Sequence, residues 1–466
     1  MKKINLLLLS LFVFLSPHFL SAQETKQVTI NGTIDPPVEE TVVILNKDFQ
    51  KLASAKVKEG SFTLSFKLEE ASPIVFSHGE EIGNLFLEPG DEVELYLNPQ
   101  EFDETLKLSG PGSEESNYLL SKYLLEEKHE LGFADLNSKP LDDFLKTAKE
   151  INQIKQDHFG AYIKSHSNLN SDFLENEKFS LGLELLSQKL TYPLRHKFLL
   201  KKEVEHLPSD YYSFVDAIDL NDEKRYKINQ DYANFISSYI SVISTEEGED
   251  LAYLDGVFNH TKAKISSPYI QESLLYLSLV EYLKYFDVAG TEKYVEDFKE
   301  IAKNEKYVKE INKLYQEALA LAKGKPAPSF TYLDTEGKEV SLESFRGKYV
   351  YIDVWATWCG PCLAEMPALK EIEEAYHENE EIVFLGVSID QQAAKDKWLK
   401  MIADKGIGGV QLLADKDWKS SIVKDYLIEG IPKYVLVDKE GNILDREAPR
   451  PSNPELKEIL EDLVGQ

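Results

Sequence analysis

The chain has two cysteines in 466 residues, as Cys359-Gly360-Pro361-Cys362. Two thiols at that spacing can join to each other and part again. The attacking sulfur must be a thiolate, so its pKa has to fall from about 8.5 towards neutrality. A helix N-terminus lowers it through unpaired N–H groups and the positive end of the helix dipole. Two intervening residues in the first turn bring the second sulfur within bonding reach. Cys359 is then the exposed nucleophile and Cys362 the resolving thiol, with Pro361 limiting backbone freedom between them. A structural zinc site needs four ligands, and no second cysteine pair exists to complete one. Haem attachment needs His after the second cysteine, where this chain has Leu363. The histidines, among them His129, His158, His166, His196, His206 and His260, are scattered without paired spacing, so no metal or cofactor is assigned.

The flanking pattern supplies what such a pair requires. Tyr349 to Trp355 is an apolar run broken only by Asp353, the mark of a central buried strand. A carboxyl among apolar neighbours has a raised pKa and can relay a proton to or from Cys362. Leu363, Met366, Leu369, Ile372 and Tyr376 trace one face of the following helix, which Pro367 kinks. Glu371, Glu373, Glu374 and Glu378 read as its solvated face. Strands are predicted over Ile382 to Ile389 and Tyr434 to Val437. A cis peptide at Ile431-Pro432 would set an exposed backbone edge beside the cysteines, where a substrate chain can pair strand-fashion. Trp358, Gly360, Pro361, Ile431 and Pro432 are the residues expected to meet substrate.

The rest of the chain divides in three. At roughly 150 residues per domain its length suggests about three domains. Residues 1–22 read as a cleaved secretory leader: Lys2 and Lys3, an apolar stretch from Leu6 to Leu15, and small Ser21 and Ala22 at the cut. No cysteine lies near that end, so a lipid anchor is not expected. Residues 23–112 read as an all-β domain, a small sandwich or barrel. Ser61 to Phe66 alternates with period two, as do Val93, Leu95 and Leu97, and Asn31-Gly32 after Val28-Thr29-Ile30 is a hairpin-type turn signal. Residues 113–322 read as an all-α region, with Ser267-Pro268 opening one helix and Ile311, Leu314, Ala318 and Leu321 lining another. Lys323-Gly324-Lys325-Pro326 is the boundary to an α/β domain over 325–466. Lys+Arg 52 against Asp+Glu 81 gives a net charge of −29, which phosphate backbones repel, so no nucleic-acid partner is expected.

Asp353, Trp355, Trp358, Cys359-Gly360-Pro361-Cys362, Pro367 and Pro432 together resemble the thioredoxin superfamily over about residues 325–466. The lead-in Pro326-Ala327-Pro328 and the long stretch from Asp390 to Glu429 are similar to the TlpA/ResA branch of exported thiol-disulfide oxidoreductases, related to the AhpC/TSA group. Gly360-Pro361 and Ile431 follow thioredoxin rather than that branch. The Leu87–Leu95 stretch and the Ser109-Gly110-Pro111-Gly112-Ser113 exit resemble the N-terminal β domain of secreted Bacteroidota proteins. The resemblance implies that Cys359 attacks, Cys362 resolves, Asp353 assists protons and Pro432 is cis. It further implies a periplasmic disulfide reductase, with disulfide-containing protein clients and a membrane thiol donor of the DsbD/CcdA kind. Two other readings compete: a client- or glycan-binding envelope protein with an accessory redox domain, and a thiol peroxidase using Thr357 beside Cys359.

Overall fold

In the computed structural model the described residues are 26–36, 41–46, 50–79, 81–129, 132–245 and 251–465. The leader expected at 1–22 lies outside them. The chain is strand-rich first, helical in the middle and α/β at the end. Of the described residues, 26–243 with 264–270 form one compact unit, and 244–263 with 271–465 form the other. The helical stretch contributes to both.

The first unit opens with two four-stranded sheets. One has the order β4(Ser61–Leu68), β1(Lys26–Ile34), β7(Glu92–Leu97), β8(Lys107–Ser109). The other has the order β3(Lys51–Lys56), β2(Thr41–Asn46), β5(Ser72–His78), β6(Glu81–Leu87). Their inward positions share one core, from Val28, Ile30, Leu64 and Leu95 on one sheet to Ile44, Phe76 and Leu85 on the other. The region is therefore a sandwich. β4 shows why: its residues alternate exposed and buried without a break. The expected turn at Asn31-Gly32 is absent, because β1 runs straight through both residues and pairs Gly32 with Phe62. A Cβ on Gly32 would lie 1.9 Å from the Phe62 ring, so the glycine makes room for an aromatic side chain instead of a bend.

In the second unit, helix Glu305–Ala320 buries Ile311, Leu314 and Ala318, and Leu321 joins the core of the terminal domain. That domain is built on a seven-stranded sheet. Its order is β10(Glu339–Ser341), β9(Thr331–Asp334), β13(Val410–Leu413), β12(Ile382–Ser388), β11(Tyr349–Trp355), β14(Lys433–Val437), β15(Ile443–Asp445). β11, β12 and β13 are parallel, and β14 runs antiparallel to β11. The central position of β11 explains its apolar run. Val350, Ile352 and Val354 enter one core, while Tyr351 enters a second with Leu456 and Leu460 of helix Pro454–Val464. The stretch from Asp390 to Glu429 inserts helix Lys395–Lys405, strand β13 and a short helix Ser421–Asp425.

Candidate redox site

Strand β11 delivers the motif to the start of helix Gly360–Ala375, whose N-cap is Cys359. Pro361 sits in the first turn, where its missing N–H is no loss. Cys359 and Cys362 form a disulfide, with Cα atoms 5.3 Å apart. The Cys362 amide donates to Cys359 Sγ at 3.1 Å, so the first sulfur receives one of the helix's unpaired N–H groups. The placement required for a lowered thiol pKa is present. The expectation of an exposed nucleophile is corrected, since Cys359 is only 4% exposed. Its capping turn tucks it into the apolar core with Trp355 and Ala356, and Cys362 lies in the same cluster. The neighbour that faces solvent is Trp358, 53% exposed.

The turn before the cysteines is held by a buried carboxylate. Asp390 accepts from the Thr357 amide at 2.8 Å and the Thr357 hydroxyl at 2.7 Å, and from the Ser388 hydroxyl at 2.8 Å. Thr357 is therefore committed to positioning the motif.

Asp353 lies where the apolar run places it, 8% exposed on β11, and its Oδ1 has no hydrogen-bond partner among the described residues. Burial pushes its carboxyl up to about 8, with repulsion from Glu373 and Glu365 adding to the shift. Both glutamates come from the motif helix. Glu365 accepts from the Ser452 amide and hydroxyl, each at 2.9 Å, and lies 3.7 Å from Arg450 Nη1. Glu373 is not part of a solvated face: burial pushes it up to about 7, against the lowering effect of the Gly408 amide that it accepts. The helix face is also less uniform than its spacing suggests. Leu363 and Met366 pack with the cysteine cluster, and Leu369, Ile372 and Tyr376 with the other core.

Beside Asp353 in the register stands Gly386 of β12. A Cβ there would lie 2.2 Å from Gln411 Oε1, so glycine clears space for that amide. Gln411 accepts from Trp355 Nε1 at 3.2 Å and donates to the Gly408 carbonyl at 2.8 Å. One chain of contacts thus runs from Trp355 to the loop that donates to Glu373.

Ile431-Pro432 is cis and leads directly into β14, where Lys433 pairs with Val354. Ile431 packs against the cysteine-bearing core. Helix Pro268–Tyr285 reaches this edge of the domain: Lys284 pairs with Glu429 at 2.5 Å, and Arg446 donates to the carbonyls of Leu283 (2.6 Å) and Phe286. Asp390, Glu365 and Gln411 are site or near-site residues that sequence reasoning missed. Only Glu365, three residues after Cys362 on the motif helix, carried a positional signal.

Among the described residues no cluster of His, Cys, Asp or Glu could hold a metal ion, and no helix is long and apolar enough to cross a membrane. Residues 322–463 match the Redoxin family and residues 28–117 match a domain of unknown function, DUF4369. Over 148 residues the chain is 31% identical to thiol-disulfide oxidoreductase ResA of Bacillus thuringiensis, covering 30% of this chain and 78% of that one. Thioredoxin-like protein YneN of Bacillus subtilis is 28% identical over 143 residues, 31% of this chain and 81% of its own length. Among solved structures, a thiol-disulfide oxidoreductase from Bacteroides fragilis aligns with 28% identity and a TM-score of 0.27, covering 29% of this chain and 99% of that one. Identity of 31% across more than three-quarters of a ResA protein establishes descent: the chain belongs to the ResA/TlpA-like thiol-disulfide oxidoreductases, with a redoxin domain behind a DUF4369 domain.

Proposed function

We propose that this oxidoreductase acts as a disulfide reductase in the periplasm, by dithiol exchange through Cys359-Gly360-Pro361-Cys362. The Cys359 thiolate attacks one sulfur of a client disulfide, forming a mixed disulfide and releasing the other client sulfur as a thiolate. The Cys362 thiolate then attacks Cys359 Sγ. The client's second sulfur leaves, and Cys359 and Cys362 are joined. Two electrons pass from the pair to the client. Asp353 is the proton relay: its ionised form takes the proton from Cys362, and its protonated form, favoured near neutral pH, gives one to the departing thiolate. Client chains lie against Trp358 and pair with the backbone at Ile431 and cis Pro432, with Gly360 and Pro361 forming the floor. The joined pair is re-reduced by a membrane thiol donor of the DsbD/CcdA kind. Residues 1–22 export the chain and are removed, 23–112 and 113–322 act as client-selecting domains, and 325–466 carries the reaction.

The observation that carries this reading is the Cys359 cap, with its sulfur accepting the Cys362 amide at the head of the motif helix. The Gly-Pro pair between the cysteines is the reducing pattern. The test of direction is the reduction potential against glutathione. The expected value lies near the thioredoxin end, about −270 mV, and one near about −120 mV would reverse the direction. The test of the exchange step is Cys362→Ser expressed in the native envelope: clients should remain covalently joined to Cys359. Thr357 is bound to Asp390 through both its amide and its hydroxyl, which weighs against a peroxidase role.

A further inference from the structure

The chain has four tryptophans. Trp355 and Trp398 are fully buried, whereas Trp358 and Trp418 are exposed, the latter by 39%. The two exposed indoles belong to distant parts of the sequence, yet their ring centroids are 6.2 Å apart with planes inclined at 43°. One of them immediately precedes Cys359. Leaving two large apolar rings side by side in water forgoes burial that the fold could have used. Such a patch next to a reactive group marks a contact surface.

Both rings are carried on pinned backbone. Trp358 follows Thr357, which Asp390 holds through two hydrogen bonds. Trp418 sits in a tight turn closed by the Lys419 amide on the Lys416 carbonyl at 2.8 Å and by the Ser420 hydroxyl on the Asp417 carbonyl at 2.7 Å. Asp417, immediately before it, has φ of 48°, a left-handed conformation that a non-glycine residue adopts at some cost. The start of this loop is fastened to the corner that holds Thr357: the Ala414 amide donates to the Ser388 carbonyl at 2.8 Å, and Ser388 donates to Asp390. The two tryptophans are thus referred to one rigid point.

We infer that Trp358 and Trp418 form a client-binding platform that selects disulfides flanked by aliphatic or aromatic side chains. At their separation the rings leave no gap for a third ring between them, so the platform is one continuous apolar face beside the disulfide, not a slot. Its rim favours neither charge, because Asp415 and Asp417 alternate with Lys416 and Lys419, and Asp415 pairs with Lys416 at 3.3 Å. A recessed Cys359 makes such a platform necessary, since the client must be held by neighbours while its sulfur reaches inward. The occupant is the chain segment next to the client's disulfide. The inference rests on the proposed exchange reaction and adds to it a local preference at the client's disulfide.

The test uses the full chain, dithiothreitol as reductant, and two synthetic peptides with the same internal disulfide. One carries Leu and Phe beside the cysteines and the other Ser and Asp. The wild type should favour the apolar-flanked peptide by about 10-fold or more in kcat/KM, through KM. Trp418→Ala and Trp418→Gln should each abolish that preference, and Trp418→Phe should keep most of it. Reduction of the Cys359–Cys362 bond by dithiothreitol should be the same in all four proteins. Equal use of both peptides by the wild type, or an unchanged preference in Trp418→Ala and Trp418→Gln, overturns the platform and leaves the exchange reaction standing. Failure of the wild type to reduce either peptide overturns the exchange reaction itself.

Discussion

The N-terminal sandwich and the C-terminal redox sheet are both strand-built, but they treat their buried faces differently. In the sandwich the inward positions of β1, β4 and β7 carry hydrocarbon side chains except at Gly32, as Val28, Ile30, Leu64, Phe66, Val93 and Leu95. In the redox sheet, β11 puts Asp353 on the buried face between Tyr351 and Trp355, with two more carboxylates opposite it on the motif helix. A buried, incompletely bonded carboxyl lowers stability. A fold selected for stability alone would have a Val or Leu there. The contrast shows where the terminal domain departs from the most stable packing: at Asp353, Glu365 and Glu373, on the strand and helix that flank the cysteine motif. Glycine makes the same point. Gly32 clears space for a ring that only fills the sandwich, while Gly386 clears space for an amide that fixes Trp355 beside the site.

The comparison can be broken in four places. Cys359→Ser should reduce disulfide exchange by on the order of a thousandfold or more with no loss of folding, read as insulin reduction and thermal unfolding. Asp353→Asn should slow exchange near neutral pH by about a hundredfold and remove the inflection near pH 8 from the rate profile. The same variant has a stability signature. The folded chain holds the Asp353 proton more tightly than the unfolded chain does. The stability this group contributes is therefore complete below its usual value of 3.8 and is lost as pH rises through about 8. In denaturant titrations of the oxidised chain, that loss should run at up to about 1.4 kcal/mol per pH unit and be missing from Asp353→Asn.

Gly32→Ala, in the sandwich, should destabilise the first unit by about 1–3 kcal/mol through its clash with Phe62, and leave exchange rates unchanged. A fall in exchange rate with that variant would mean that the two regions are not separable in function. The smallest effect is expected from Arg446→Met. It removes donors to the Leu283 and Phe286 carbonyls, but Arg446 also buries Nε and Nη1 without partners among the described residues. The two terms offset, leaving a net loss of about 1 kcal/mol or less in chemical unfolding.

The readable parts were those governed by local pattern. Strict alternation in Ser61 to Phe66 identified a half-buried strand, and the apolar run around Asp353 identified the central one, because sheet burial repeats with the pleat. The cysteine spacing and Pro361 located the helix start for a similar local reason. The unread parts depend on contacts across the sequence. Asn31-Gly32 looks like a turn until Phe62 is set over it. Glu373 looks solvated until the loop at Gly408 closes on it. Cys359 looks exposed until the cap folds it into the core. Trp418 and Asp390 had no signal at all, since each gains meaning only from a partner 60 and 33 residues away, respectively.

The most direct measurement is insulin reduction by the purified full chain in dithiothreitol, with the Cys359 and Cys362 thiols counted by alkylation and mass before and after turnover. The account expects two thiols to appear together on reduction, to disappear together as insulin is reduced, and neither cycle to occur in Cys359→Ser. A pair that dithiothreitol cannot open, or an opened pair that passes no electrons to insulin, would contradict it.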